Sequence, residues 1–212
     1  MTPHDIATAL QDEILSGALP PGTPLSQSDL ARQFQVSRIP IRDALAQLAA
    51  DGLITASPNR TATVVELSRK DIESLYHMRI LLEGDLLFRA VPLMNAQRLR
   101  AIDYALQRSS LEARQQNWAE GDQMFHAALY AAADSPQQVA LCDDLRRKCR
   151  AQIAGYHQLS DQTERWLSEH EAIVTACHAG APKEARRLLR RHLKAARNLL
   201  LRAMRKAETP QP

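Results

Sequence analysis

The side chains in this 212-residue chain that point most directly to chemistry are polar residues lying on apolar helical stripes. Asp122 and His126 stand four apart and so share one helical face, which continues through Leu129 and Tyr130. His170 lies between Trp166 or Leu167 and the group Ile173, Val174 and Cys177, on the inward face of a second helix. His192 lies among Leu188, Leu189, Leu193, Ala196 and Leu199 on a third. A buried carboxylate with three buried imidazoles is costly unless something compensates, and a divalent metal does so directly. This donor set suits Zn, Ni, Mn or Fe(II), with room in an octahedral shell for a carboxylate or water. A single such histidine is more often a hydrogen-bonded core residue; the set of four is what points to a metal. His4, His77, His157 and His178 have no comparable pattern around them.

Cations on apolar stripes form a second class. Arg79 falls on the stripe of Ile72, Leu75, Tyr76, Leu82 and Leu86. It needs an anion there, either Glu83 four residues on or a ligand carboxylate held by the guanidinium fork. Arg150, beside Leu145, Cys149 and Ile153, is an effector-binding candidate of the same kind. The last helix carries ten Lys or Arg between Lys183 and Lys206 against Glu184 alone, either a solvated face or an attraction for DNA or other anions.

A third group lies near the N-terminus. Arg38 and Arg42 are four apart on one face of a helix whose inner stripe is Ile41, Ala44, Leu45 and Leu48. Their planar forks can span the O6 and N7 acceptors of a guanine. Bulk charge does not make this argument. Residues 1–67 hold four arginines (Arg32, Arg38, Arg42, Arg60) against seven acids, a net of −3 inside a chain of net +3, so DNA binding rests on where the arginines sit.

The elements that position these groups follow from periodicity and breakers. Ile6, Leu10 and Ile14 mark a first amphipathic helix ending at Gly17, and Leu19-Pro20-Pro21-Gly22 forces a turn. Ser26 with Asp29 opens a short helix through Leu30, Ala31 and Phe34, and Ser37 is placed to cap a third with Pro40 in its first turn. A short helix, a tight turn and a longer helix with arginines near its start is the geometry that enters a major groove. Leu53–Ala56 and Thr61–Val65 predict a two-stranded wing joined by Ser57-Pro58-Asn59-Arg60, whose tip offers Asn59 and Arg60 to the minor groove or backbone. Beyond Leu67 the pattern predicts six helices, about 69–90, 96–115, 118–133, 136–157, 161–179 and 182–207. The expected fold class is mainly α: an N-terminal winged helix-turn-helix over 1–67, a C-terminal antiparallel all-α bundle over 68–207, and a disordered tail over 208–212.

The stretch Leu19-Pro-Pro-Gly-Thr-Pro-Leu25, then Asp29-Leu-Ala31, Val36-Ser-Arg-Ile-Pro-Ile-Arg-Asp-Ala-Leu45, Leu48 and Asp51-Gly-Leu53 resembles the DNA-binding domain of the GntR family of regulators. The resemblance implies that Ser37, Arg38 and Arg42 contact an operator, with Asn59 and Arg60 at the wing tip. Ser28, where family members often carry a longer charged side chain, and a wing tip without glycine are departures from the pattern. The remainder, with Asp122-xxx-His126, Glu169-His170 and His192, resembles the FCD subgroup in its shorter, VanR-like form. That implies a metal on Asp122, His126, His170 and His192 that helps hold a small organic acid.

Composition fits a compact soluble protein. Apolar residues make up 45% and charged residues 24%, no run reaches the ~18 apolar residues of a membrane span, and Met1–Leu15 carries acids where a secretion signal carries bases. The expected location is cytoplasmic, with Cys142, Cys149 and Cys177 as reduced core thiols. The leading expectation is a homodimeric repressor on a pseudo-palindromic double-stranded DNA operator, controlled by a small carboxylate and with no membrane partner. A metal-responsive regulator and a metalloenzyme fused to a DNA-binding domain are the competing readings, the second lacking a convincingly placed general base.

Overall fold

A computed structural model describes residues 1–55, 61–114, 118–154 and 163–208. Its first helix, α1 (Pro3–Ser16), starts at a capping box: the Asp5 N–H donates to Thr2 Oγ1, and the Thr2 N–H donates to the Asp5 carboxylate. It ends at Gly17, whose φ of +85° is open to glycine at little cost. The chain then runs through the Pro20-Pro21-Gly22 turn into β1 (Pro24–Leu25) and α2 (Gln27–Gln33), where Ser26 Oγ accepts the Asp29 N–H. Gln35, in the left-handed region at φ +54°, makes the tight turn into α3 (Arg38–Ala50). Ser37 occupies the N-cap of α3, but its side chain makes no capping hydrogen bond, so the expected cap is positional only.

After α3 come β2 (Ile54–Thr55) and β3 (Ala62–Val64), paired antiparallel with Ile54 opposite Val64. The sequence predicts two strands, and the described residues hold three in the order β1-β3-β2. The extra strand exists because β3 has two edges of backbone groups to satisfy. β1 takes the second, and the Val64 N–H and C=O bond Thr23 and Gly22 beside it. The predicted stripes converge: Ile6, Leu10 and Ile14 of α1 meet Ile41, Leu45 and Leu48 of α3, with Leu53, Ile54 and Val64 closing the core from the sheet.

The remaining helices are α4 (Arg69–Ala90), α5 (Ala96–Arg114), α6 (Trp118–Tyr130), α7 (Pro136–Ala154), α8 (Thr163–His178) and α9 (Pro182–Glu208). α4 packs on α9, α5 on α6, and α8 on both α9 and α5. The sequence reads 118–133 as one helix. It tightens instead into a 3-10 turn over Ala131–Ala133, before Asp134 at φ +48° and Ser135-Pro136 redirect the chain. The cysteines are buried free thiols, as expected.

By contacts the chain divides into Met1–Ser68 with Arg147–Tyr156, and Arg69–Arg146 with His157–Pro212. The last turns of α7 therefore count with the first unit. Ala151 belongs to its core, and the Gln152 amide donates to the Val65 carbonyl at 2.8 Å and accepts the Leu67 N–H at 3.1 Å. A Cβ on Gly17 would stand 2.3 Å from the Ala154 carbonyl oxygen, so close approach as well as φ requires glycine there.

Leu48 is 1% exposed in this core. Leu48→Ala should lower stability by about 2–5 kcal/mol, read as a fall in the urea midpoint. An unchanged midpoint would show that α3 does not pack as described.

Candidate functional site

Within the second unit, three helices bring together the four residues singled out by their patterns. α6 supplies Asp122 and His126, α8 supplies His170 and α9 supplies His192; one ligand atom from each lies within 4.8 Å of all the others. Each imidazole replaces an aliphatic residue on a buried stripe: His126 between Phe125 and Leu129, His170 between Leu167 and Ile173, His192 beside Leu189 and Leu193. The three histidines are buried, and Asp122 is half-buried.

Hydrogen bonds to the far side of two rings set which nitrogen faces the centre. Tyr130 has one hydroxyl proton and donates it to Glu83 Oε2 at 2.6 Å. Its oxygen therefore accepts from His126 Nδ1 at 2.9 Å, leaving the Nε2 lone pair of His126 free. His192 Nδ1 lies 2.9 Å from Glu169 Oε2 and donates to it in the same way. His170 stacks on Phe125, ring centroids 4.1 Å apart. Among the described residues neither of its nitrogens has a hydrogen-bond partner, nor does His126 Nε2, although Asp122 Oδ1 is 3.4 Å from it.

A buried polar atom without a partner costs about 1–3 kcal/mol, and His126 Nε2 and both nitrogens of His170 are such atoms. Burial holds the His170 pKa well below the ordinary imidazole value, with His192 and His126 adding to the effect. Burial also lowers His192, outweighing the nearby Glu169 carboxylate. Burial alone would raise the Asp122 carboxyl, but Arg146 and the imidazoles hold it well below the carboxylate range. A lowered His170 and His192 beside an ionised Asp122 favour the protonation states in which these groups ligate a divalent cation, so the residues present fit one.

Glu83 anchors the surrounding network. Fully buried, it accepts from Arg79 Nε at 2.6 Å, Tyr130 and Arg146 at 3.3 Å. Arg79, left open between Glu83 and a ligand, pairs with Glu83 and lies over the Tyr76 ring. Arg150 is half-buried, in the part of α7 that counts with the first unit. The cation that joins them is Arg146, one turn earlier, bonded to both Glu83 and Asp122. Sequence reasoning passed over Arg146, although it lies on a stripe with buried Cys142 and Cys149, as Arg79 does on its own.

In the first unit Ser37, Arg38 and Arg42 are exposed along the start of α3. Asn59 and Arg60 lie outside the described residues. Most cations of α9 face solvent; Arg187 pairs with Glu184, and Arg186 lies over Phe88.

Comparison with known proteins agrees with this division. Residues 3–64 match the family described as bacterial regulatory proteins, gntR family, and residues 74–195 match the FCD domain. The chain is 34% identical over 133 residues to an HTH-type transcriptional regulator in the TAR-I ttuE-ttuC' intergenic region of Agrobacterium vitis, covering 59% of this chain and 77% of that protein. It is 27% identical over 194 residues to the HTH-type transcriptional repressor RspR of Escherichia coli, covering 90% and 85%. The crystal structure of a putative transcriptional regulator GntR from Rhodococcus sp. RHA1 is similar with a TM-score of 0.83 at 25% identity, covering 95% of this chain and 98% of that one.

Glu83→Gln leaves Arg79 and Arg146 buried without their anion. It should cost about 3–5 kcal/mol in chemical denaturation. A loss under 1 kcal/mol would show that the arginines find other partners and that Glu83 is not central.

Proposed function

Since the chain belongs to the gntR family of bacterial regulatory proteins and carries an FCD domain, we propose that it is a repressor whose hold on an operator is set by a small organic acid bound at a divalent metal. It is a transcriptional regulator and not an enzyme, as the family is. Among the described residues no helix is long and apolar enough to cross a membrane.

The observation that carries the effector reading is the convergence of Asp122, His126, His170 and His192 within 4.8 Å with three imidazole nitrogens unpartnered. These four residues would hold the metal, which when bound supplies a Lewis-acid anchor for an anionic ligand. The protein's own groups do the rest. Tyr130 and Glu83 orient His126, and Glu169 orients His192. Arg79 and Arg146 balance Glu83 and Asp122, so the buried cluster is already close to neutral. A dication would leave it positive, and one or two carboxylates from the effector restore balance, which favours an organic acid over a neutral sugar.

In the first unit α3 is the helix for the major groove, with Arg38 and Arg42 reading bases and Ser37 meeting the backbone. A homodimer would read two half-sites of a pseudo-palindrome about one helical turn apart. The acid changes operator affinity only to the extent that it binds the operator-bound and free states differently.

Elemental analysis of the purified protein should find about one divalent ion per chain, depleted in His126→Ala and in His170→Ala. Full occupancy in both variants removes the site. A thermal-shift screen of organic and sugar acids, with and without chelator, should find stabilisation that chelator abolishes. In gel shifts, Arg38→Ala or Arg42→Ala should weaken operator binding by about 1–3 kcal/mol and relax selectivity at one base pair. Unchanged affinity in both would mean that α3 does not read the groove.

A further inference from the structure

Apart from the terminal Met1, Ile39 is the large apolar side chain that the first unit leaves in solvent among the described residues, with 63% of its surface exposed. Its own fold does not account for it. Ile39 takes no part in the core built by its neighbour Ile41, and a β-branched residue brings no helix propensity to an exposed helical site. What distinguishes it is placement. Ile39 stands in the first turn of α3, next to Arg38, and shares a helical face with Arg42, Asp43 and Ala46 at spacings of three, four and seven. All of these are exposed, and the Arg42 side chain is 68% exposed.

Major-groove base edges offer arginine the acceptors of guanine, and they offer an aliphatic side chain one apolar group, the 5-methyl of thymine. We propose that Ile39 is a specificity residue that packs on a thymine methyl beside the base pair read by Arg38 or Arg42. The arginines then select guanine, and Ile39 selects thymine over cytosine or uracil at the neighbouring step. This rests on the operator-binding reading above.

The probe is a duplex selected by the wild-type protein from a random-sequence pool. Each thymine in it is replaced in turn by uracil, which removes the methyl and keeps the Watson–Crick bonds. For the wild type, one thymine per half-site should lose about fourfold in affinity on replacement, the free energy of burying one methyl expressed as a ratio. For Ile39→Ala the same replacement should cost nothing, and Ile39→Val should fall between. A second selection with Ile39→Ala should retain guanine in each half-site and lose the adjacent thymine.

Wild-type binding indifferent to uracil at every position overturns the proposal, as does an equal loss in Ile39→Ala. The wild-type scan decides even if Ile39→Ala folds poorly. Selection of no duplex at all would overturn operator binding together with this inference, whereas sequence-selective binding insensitive to the methyl would overturn this inference alone.

Discussion

A carboxylate cut off from water has to be neutralised where it lies, and the second unit is arranged around one. Glu83 meets Arg79, Arg146 and the Tyr130 hydroxyl, which come from three different helices. Unpaired, a buried charge of this kind would cost several kcal/mol. Its burial would by itself raise the Glu83 pKa, yet Arg79, His126 and Arg146 hold it well below the carboxylate range. Helix register is fixed in consequence: α4, α6 and α7 must present these side chains to one another. The same network turns His126 so that its free nitrogen faces Asp122, His170 and His192. A structural ion pair thus also orients one of the candidate metal ligands.

That dependence explains why the site is built on stripes and not on loops. Donors on packed helices have rotamers held by their neighbours, and hydrogen bonds behind the rings of His126 and His192 select the tautomer. His170 has no such bond and is held by stacking on Phe125. The close approach of α5 and α6 is part of the support, since a Cβ on Gly121 would stand 2.8 Å from Ser109 Cα. Among the described residues His126 Nε2 and both nitrogens of His170 have no hydrogen-bond partner.

The first unit works by a different economy. It is small, its N-terminal residues 1–67 carry a net charge of −3, and its core is built from α1, α2, α3, Ala151 of α7 and a short sheet whose third strand covers the open edge of β3. Net charge gives the unit no general attraction for a polyanion, since the −3 of residues 1–67 is only offset by Arg147, Lys148 and Arg150 of α7. What the winged helix displays is a set of exposed side chains along the start of α3, among them Arg38, Ile39 and Arg42.

Most of the element pattern was legible without coordinates, because Pro, Gly, Asn and Ser punctuate the chain and the apolar spacing changes little within each helix. The four candidate ligands were legible for the same reason: a polar residue on an apolar stripe must point inward wherever the helix packs. Three matters were decided only by tertiary structure. Glu83, four residues from Arg79, was named as its possible partner from spacing, but that it also gathers Arg146 and Tyr130 from other helices is visible only in the fold. Arg146, one turn before the candidate Arg150, is the arginine of α7 that bonds Glu83 and Asp122. Strand β1 formed because a backbone edge needed pairing, a demand no side-chain pattern records. Periodicity fixes the direction in which a side chain faces; which group meets it there depends on helix packing, and that is settled in three dimensions.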